Sequence, residues 1–521
     1  MDVKGLKSRR DAAQAERDQF QPLLDEAYQY SIPFRKSTKN SAKGEKRVDM
    51  VYDHTAIDGA FRFAGKVQQD FWPAGGEENF GIEPGPLVTD KTQREAWTKD
   101  LDGISKVCLA FFDDDWDMAF HEMAMDLSAG TGAILMNSTS DPDRLWEPIS
   151  VSIDELTLEG GANNKICGIY WKRKMTYRMM METWPEGKFS ATVQETARTK
   201  GGDEIEVNTD TIYDPKKKRW MMHVWCDKQE TIVFTSQSRT CPWLTPRYFR
   251  VPGETMGRGV TMLAMPSIKT TNTTARLQLM AAAIAMLGIY TAVDDGVFNP
   301  DLASLTPGTF WKVARNGGTM GPSVQRFPDP RLDLSGMVLN ELRMGVKATM
   351  MDQSLPPDGA AVRSATEILE RVKRLASDHL GAYGRLIKEI TIPAVKRVLE
   401  LAYEKGLIKT EIPIDQLLFR VKIKSPLAMA KEAQKIERVI QWLQMALAVY
   451  SAMGTPQRIE RIAEVDDALI EAGRSLGVPE RNITPKDKRD AMIEQDKQAQ
   501  QAMIAAQLAA AAGAVPGAAA A

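Results

Sequence analysis

The densest group of side chains able to do chemistry in this 521-residue chain is Asp113-Asp114-Asp115-Trp116-Asp117. Clustered carboxylates hold Mg²⁺, and a metal on Asp113, Asp114, Asp115 and Asp117 would suit hydrolysis of a phosphodiester. The same residues suit the start of a helix over Met118–Ala129, because a helix dipole favours negative charge at its first turn. No further carboxylate or base pattern accompanies them, so the helix start is the preferred reading. A metal-dependent nuclease is the alternative.

Other chemistry is thinly represented. Ser128-Ala129-Gly130-Thr131-Gly132 is glycine-rich, but it follows a helix and precedes a strand, Ala133–Asn137. A phosphate-binding loop has the opposite order, so this is read as a turn. The run G-x-x-x-x-G-K-[ST] occurs nowhere, which argues against a nucleotide-driven motor. Four histidines (His54, His121, His223, His379) and four cysteines (Cys108, Cys167, Cys226, Cys241) are scattered, with no C-x-x-C pair. That spacing suits a reducing compartment and no zinc site. No cofactor or metal is expected, and the chain is not read as an enzyme.

The bulk properties narrow the class further. The 67 basic and 69 acidic residues give a formal net charge of −2. A protein that coats nucleic acid needs a broad basic surface to displace counterions; a channel through which DNA slides does not. The mostly apolar stretch 277–293 is shorter than the ~20 residues a membrane span needs. It is alanine-rich, preceded by Lys269 and Arg276 and closed by Asp294-Asp295. A helix packed on protein is the preferred reading, with a membrane pore as the alternative. The N-terminus lacks the apolar core of a signal peptide.

The elements that would position these residues follow from periodicity. Residues 8–31 read as an amphipathic helix with Phe20, Leu24, Ala27 and Tyr28 on its buried face. Helices are expected over Ile57–Phe71 and Trp97–Phe112. The period changes over 145–250. Short β-rich runs including Val151, Ile153, Leu156 and Leu158, then 166–171, 205–207, 220–225 and 231–235, alternate there with turn signals. This predicts an antiparallel β region inserted in a helical chain. Lys216-Lys217-Lys218-Arg219 falls in one of its turns, as exposed decoration. The basic loop 36–47 is likewise read as solvated surface.

The chain is organised around Pro246–Glu367. The loop Pro252–Gly259 feeds an alanine- and methionine-rich helix to about Val293. A Pro/Gly-rich insert with strand-like Thr309–Val313 follows, then a second helix from Ser335 to Asp352, then Leu355-Pro356-Pro357-Asp358-Gly359. Ser364–Lys405 reads as the longest helix, with a kink or break at Pro393. Val421–Ile423 reads as a strand. Ser425 and Pro426 make a favourable helix start, and further helices are expected over 457–476 and 485–508. Residues 509–521 are alanine and glycine and are expected to be disordered.

Four stretches in this order, G-E-T-M-G-R-G-V (253–260), D-D-G-V-F-N-P (294–300), P-G-T-F (307–310) and L-P-P-D…R-S-A-T-E-I (355–368), resemble the head-to-tail connector (portal) proteins of T7-like short-tailed bacteriophages. The resemblance spans roughly Gln19 to Val449. Val260 departs from the proline that the pattern carries after G-R-G.

The resemblance implies an α+β, mainly α-helical portal-type fold with long stem helices, a β-rich wing, a small α/β clip and a helical crown. On this chain it implies wing at 1–258, stem at 259–293 and 335–352, clip at 294–334, and tunnel loop at 353–363. Wing resumes at 364–424, and crown occupies 425–508. It implies a dodecameric ring at one capsid vertex of the virion, assembled in the host cytoplasm. Double-stranded DNA would pass through it, driven by a separate terminase. A tail adaptor, the capsid and scaffolding proteins would be partners, with no stable membrane insertion.

Candidate residues follow. Arg343 and Lys347, one turn apart on the second strut, would form a basic stripe, facing either DNA or a neighbour's carboxylates. Asp358 and Arg363 would sit on the tunnel loop, read as a valve against slippage of DNA. Phe298, Phe310, Trp311 and Arg315 are clip candidates for docking partners. Met280, Ile284, Leu287 and Ile289 are expected to pack between subunits.

Overall fold

The computed structural model describes residues 2–35, 51–73, 79–139, 141, 144–226, 232–287, 290–292, 324–326, 332–351, 380–409, 417–423 and 426–454, with scattered positions from 469 to 503. The chain forms two compact units, Met1–Ser425 and Pro426–Ala521. The architecture is α+β and mainly helical, as the sequence predicts.

Helix α1 (Val3–Ser31) begins five residues before the expected start, because the Asp2 side chain accepts from Gly5 N and caps it. Leu24, Ala27 and Tyr28 are buried on it and Phe20 is half-buried. Helices α2 (Thr55–Phe71), α3 (Lys91–Leu109) and α4 (Asp114–Ala129) and strand β1 (Phe80–Pro84) follow. An aromatic core joins them: Trp72, Phe80, Phe112, Trp116, Phe120 and Trp146 meet with ring centroids 4.6 to 5.9 Å apart. Edge-on and tilted pairs of this kind add to simple area burial.

Strands β2 (Ile134–Ser138) and β3 (Trp146–Ser150) lead into an antiparallel five-stranded meander of β4 (Leu156–Gly160), β5 (Ile166–Thr176), β6 (Glu204–Asp214), β7 (Arg219–Cys226) and β8 (Ile232–Ser238). This is the β region expected over 145–250. Val151 and Ile153, expected in strands, lie instead in a connection, with Ile153–Glu155 forming a 3₁₀ turn capped by Ser152. Two short helices, α5 (Tyr177–Thr183) and α6 (Ala191–Thr199), were not legible as such. Thr176 and Ser190 cap them by accepting from Met179 N and Val193 N.

The pleat of the meander explains its two cores. Met175, Ile205, Val207 and Val224 face Met180 and Val193 of α5 and α6. Tyr170, Ile212 and Trp225, of opposite parity, face Val3, Leu6 and Ala13 of α1. Lys216, Lys217 and Lys218 are exposed in the β6–β7 turn, as expected.

Strand β9 (Trp243–Leu244) adds to β2, and β10 (Phe249–Arg250) pairs with β11 (Gly257–Arg258). Helix α7 (Val260–Leu287) is the first strut. It ends six residues before the expected Val293. Strand β12 (Tyr290–Ala292) follows and pairs antiparallel with β13 (Val324–Arg326). The aromatic and β-branched pair Tyr290-Thr291 favours extended backbone over helix there. The second strut, α8, spans Leu332–Thr349, and Met351 after it takes φ +59°.

The expected break at Pro393 takes a definite form. Helix α9 (Leu380–Leu386) passes into a π turn, Ile387–Thr391, and then into α10 (Ile392–Glu404). Proline has no N–H to give to the carbonyl a turn earlier, and its ring crowds that carbonyl. The wider π turn just before it absorbs the mismatch. Strand β14 (Phe419–Ile423) then pairs antiparallel with β1, more than three hundred residues earlier in the chain. The second unit contributes α11 (Pro426–Ala452), closed at Gly454 with φ +70°.

The strand expected at 309–313, the tunnel loop, the start of the long helix at 364–379 and the alanine-rich tail lie outside the described residues. So do the helices expected over 457–476 and 485–508, apart from scattered positions. Phe298, Phe310, Trp311, Arg315, Asp358, Arg363, Ile289 and the side chain of Leu287 lie outside them too.

Candidate functional site: the stem helices and their junction

Helices α7 and α8 pack side by side. Ala264, Met265, Ile268 and Ala275 are buried on α7, and Leu339 and Val346 on α8. Their other faces are open. Met280 and Ile284, two of the four residues expected to pack between subunits, are 51% and 42% exposed. Leu277, Met337 and Met344 are exposed beside them on the two struts. Isolated exposed apolar residues are ordinary, whereas a run along two adjacent helices marks an interaction surface.

The short segment before α2 is tied to both struts. Asn272 Oδ1 on α7 accepts from Tyr52 N at 2.7 Å and Asp53 N at 3.2 Å. Asp53 Oδ1 accepts from Thr55 N at 3.0 Å, and its Oδ2 accepts from Arg343 Nε on α8 at 2.7 Å. Burial alone would raise the Asp53 carboxyl, but Thr55 and Arg343 outweigh it and hold it below its ordinary value. Arg343 is therefore engaged within its own chain, on Asp53. The expected basic stripe of Arg343 and Lys347 has one of its two members in an intrachain ion pair. Lys269 adds a further tie, its Nζ 2.7 Å from Glu26 Oε1.

The glycine-rich loop before α7 has a steric reason. A Cβ on Gly259 would lie 2.0 Å from Ser128 O, and one on Gly130 would lie 2.2 Å from Gly257 O. Gly130 also has φ +143°, open only to glycine at low cost. Two backbones thus cross in contact, and Thr131 Oγ1 accepts from Gly257 N at 2.9 Å. The turn reading of 128–132 holds: this glycine run holds the base of a stem helix.

Residues 247 and 248 join α9, the π turn and the residue just past the end of α8. Glu389, within the π turn, accepts from Arg247 N and from Arg247 Nη2, each at 2.8 Å. Arg385 Nη1 donates to Tyr248 O at 2.8 Å. Tyr248 Oη donates to Met351 Sδ at 3.3 Å, just past α8, and its ring meets Phe63 edge-on at 5.1 Å. Burial raises the Tyr248 hydroxyl above its usual value, keeping it a donor. The sequence signalled this cluster only through Pro393. Glu389 and Arg247 are 142 residues apart, and no local pattern links them.

The acidic cluster is a helix start. Asp113 Oδ1 accepts from Trp116 N, and Asp115 Oδ2 lies 2.6 Å from Arg144 Nη1. Among the described residues no group of three or more His, Cys, Asp or Glu is placed to hold a metal. Burial pushes the Cys108 and Cys241 thiols up to about 12, and none of the four cysteines forms a disulfide. Among the described residues no helix is long and apolar enough to cross a membrane.

No curated protein sequence matches the chain. A family model described as bacteriophage head to tail connecting protein matches residues 3–483. With that match over nearly its whole length, the chain belongs to the bacteriophage head-to-tail connecting protein family.

Proposed function

We propose that this connector assembles as a closed twelve-subunit ring at the portal vertex of the capsid. Double-stranded DNA passes through the ring during packaging and ejection. A terminase docks on the ring first and a tail adaptor later, at the insert between the two struts, where Phe298, Phe310, Trp311 and Arg315 lie in sequence. Capsid and scaffolding proteins surround it, and assembly takes place in the host cytoplasm. The chain acts as a structural component, without catalysis of its own.

The observation that carries this reading is the pair of struts with apolar side chains left open, Met280, Ile284, Met337 and Met344, in a chain of this family. A ring needs two different surfaces on each subunit, one for each neighbour. Neighbouring struts supply them. A near-neutral chain suits a lumen that must hold DNA without gripping it, since broad basic surface would add friction. Native mass measurement and negative-stain imaging of the purified full chain test the reading. A closed ring is the expected result. A folded monomer at micromolar concentration overturns it.

A further inference from the structure

Four arginines with mostly buried side chains each meet a carboxylate. Arg17, Arg35, Arg247 and Arg397 lie 3.3, 2.6, 2.8 and 3.2 Å from oxygens of Asp154, Asp126, Glu389 and Glu400. Arg173, half-buried on β5, has no such ion pair among the described residues. Its guanidinium lies over two buried indole rings instead, 4.0 Å from the centre of Trp171 and 5.5 Å from that of Trp184. Its Nε is buried and makes no hydrogen bond. Burial lowers the guanidinium to about 10, and the attraction of Glu155 offsets only part of that loss. The Glu155 carboxylate itself accepts from Trp171 Nε1 at 3.0 Å.

The strand residues that share this face of the meander are otherwise uncharged. Arg173 alternates with Trp171 and Met175 along β5 and sits opposite Val207 on β6, which in turn sits opposite Cys226 on β7. A lone cation in such a place is costly, because water is removed and no opposite charge replaces it. A guanidinium presents a planar fork of donors, and a carboxylate in the same plane takes two parallel hydrogen bonds from it. A nucleic-acid backbone fits poorly, since it needs a run of cations and this face offers one, beside Glu155. A free small carboxylate gains little from a single arginine, whereas one carried on a docked chain is presented at high effective concentration. A chain of a head-to-tail connecting family meets other proteins by its role.

We infer that Arg173 receives the carboxylate of an acidic side chain on another protein, one that docks over Trp171 and Trp184. Arginine and tryptophan are the side chains that most often carry the binding energy of a protein contact. The inference is independent of the ring reading above, and its failure leaves that reading as it stands.

The test uses the purified full chain and a fluorescein-labelled hexaglutamate peptide, read by anisotropy. Arg173→Met is expected to weaken binding at least about tenfold. Arg173→Lys keeps the charge but loses the planar fork and is expected to fall between the two. Lys218→Gln, in the exposed β6–β7 turn, is expected to match wild type, which sets aside general attraction to basic surface. Thermal unfolding gives a second readout. Arg173→Met is expected to cost less than Arg247→Met, because Arg247 already has its carboxylate. No peptide binding, or equal binding in wild type and Arg173→Met, overturns the inference. So does a loss of stability as large as that of Arg247→Met, since Arg173 would then be engaged within its own chain. Displacement of the peptide by acetate at an equal concentration of carboxylate would give the place to a free small carboxylate. Binding to dissociated chains but not to assembled ones would give it to a neighbouring copy. Either result overturns the foreign protein inferred here.

Discussion

Asp53 Oδ2 accepts from Arg343 Nε at 2.7 Å, and this one ion pair joins the start of α2 to the second strut. The Asp53 side chain is 5% exposed and that of Arg343 is 40% exposed. The carboxylate is thus nearly buried and the guanidinium partly open. Removing the cation leaves a buried charge with only the Thr55 and local contacts. Arg343→Met is expected to cost about 1–3 kcal/mol, read as a lower unfolding midpoint. Asp53→Asn together with Arg343→Met is expected to cost less than the sum of the two single changes. Because the folded Asp53 carboxyl lies below its ordinary value of 3.8, its contribution is present above that pH and is lost as pH falls further. Additive losses in the double variant would remove the pair from the account of stem anchoring.

The Glu389–Arg247 pair makes a parallel prediction for the π turn. Glu389→Gln keeps the shape of the side chain but loses the charge that both Arg247 donors share. The expected cost is about 1–3 kcal/mol, with faster amide exchange over residues 247–259. Lys388→Gln, on an exposed neighbour in the same turn, is the control and is expected to change neither. Unchanged exchange over 247–259 in Glu389→Gln would mean that the π turn does not hold the base of α7.

Much of this framework was legible locally. The acidic start of α4, the meander's alternating strands and the break at Pro393 each follow from a rule that acts within a few residues. What was not legible was set by distance. Arg343 read as one half of a basic stripe because nothing near it names Asp53, which lies 290 residues earlier. The pairing of β1 with β14 spans most of the first unit. Helices α5 and α6 are short and were hidden by their β-rich neighbours; their capping residues, Thr176 and Ser190, were the available signal. Gly130 read as part of a turn and Gly257 and Gly259 as part of a loop, and only their mutual contact gives the steric reason for them.

Acid sensitivity follows from two histidines. Burial lowers both His121 and His223 below their ordinary value of 6.5. His121 Nδ1 lies 3.0 Å from Gln68 Oε1, and His223 Nδ1 lies 3.1 Å from Thr235 Oγ1. Above pH 6.5 both are neutral in the folded and unfolded chain and contribute no pH dependence. As pH falls below that value the unfolded chain takes up protons first, so stability declines. Replacing both by Gln is expected to flatten the decline between pH 6.5 and about 5, measured by chemical denaturation across pH. An equally steep decline in the double variant would assign it to other groups.

Met280 and Ile284 carry the last prediction. Both are exposed on α7 in the single chain, one turn apart on the same face. Replacing either by Glu puts the charge on a side chain already open to solvent, so the thermal unfolding of dissociated chains is expected to change little. Placed against an apolar neighbour, the same charge must be desolvated or the contact opened. Each 1.4 kcal/mol lost at a contact weakens it about tenfold, and a ring repeats the loss at every subunit boundary. Met280→Glu with Ile284→Glu is therefore expected to shift the population from rings to small species, read by native mass. Thr273, exposed on the same helix but outside the apolar run, gives the control: Thr273→Ser is expected to leave rings intact. Rings that persist in the double glutamate variant at the wild-type concentration would remove this face of α7 from the subunit boundary.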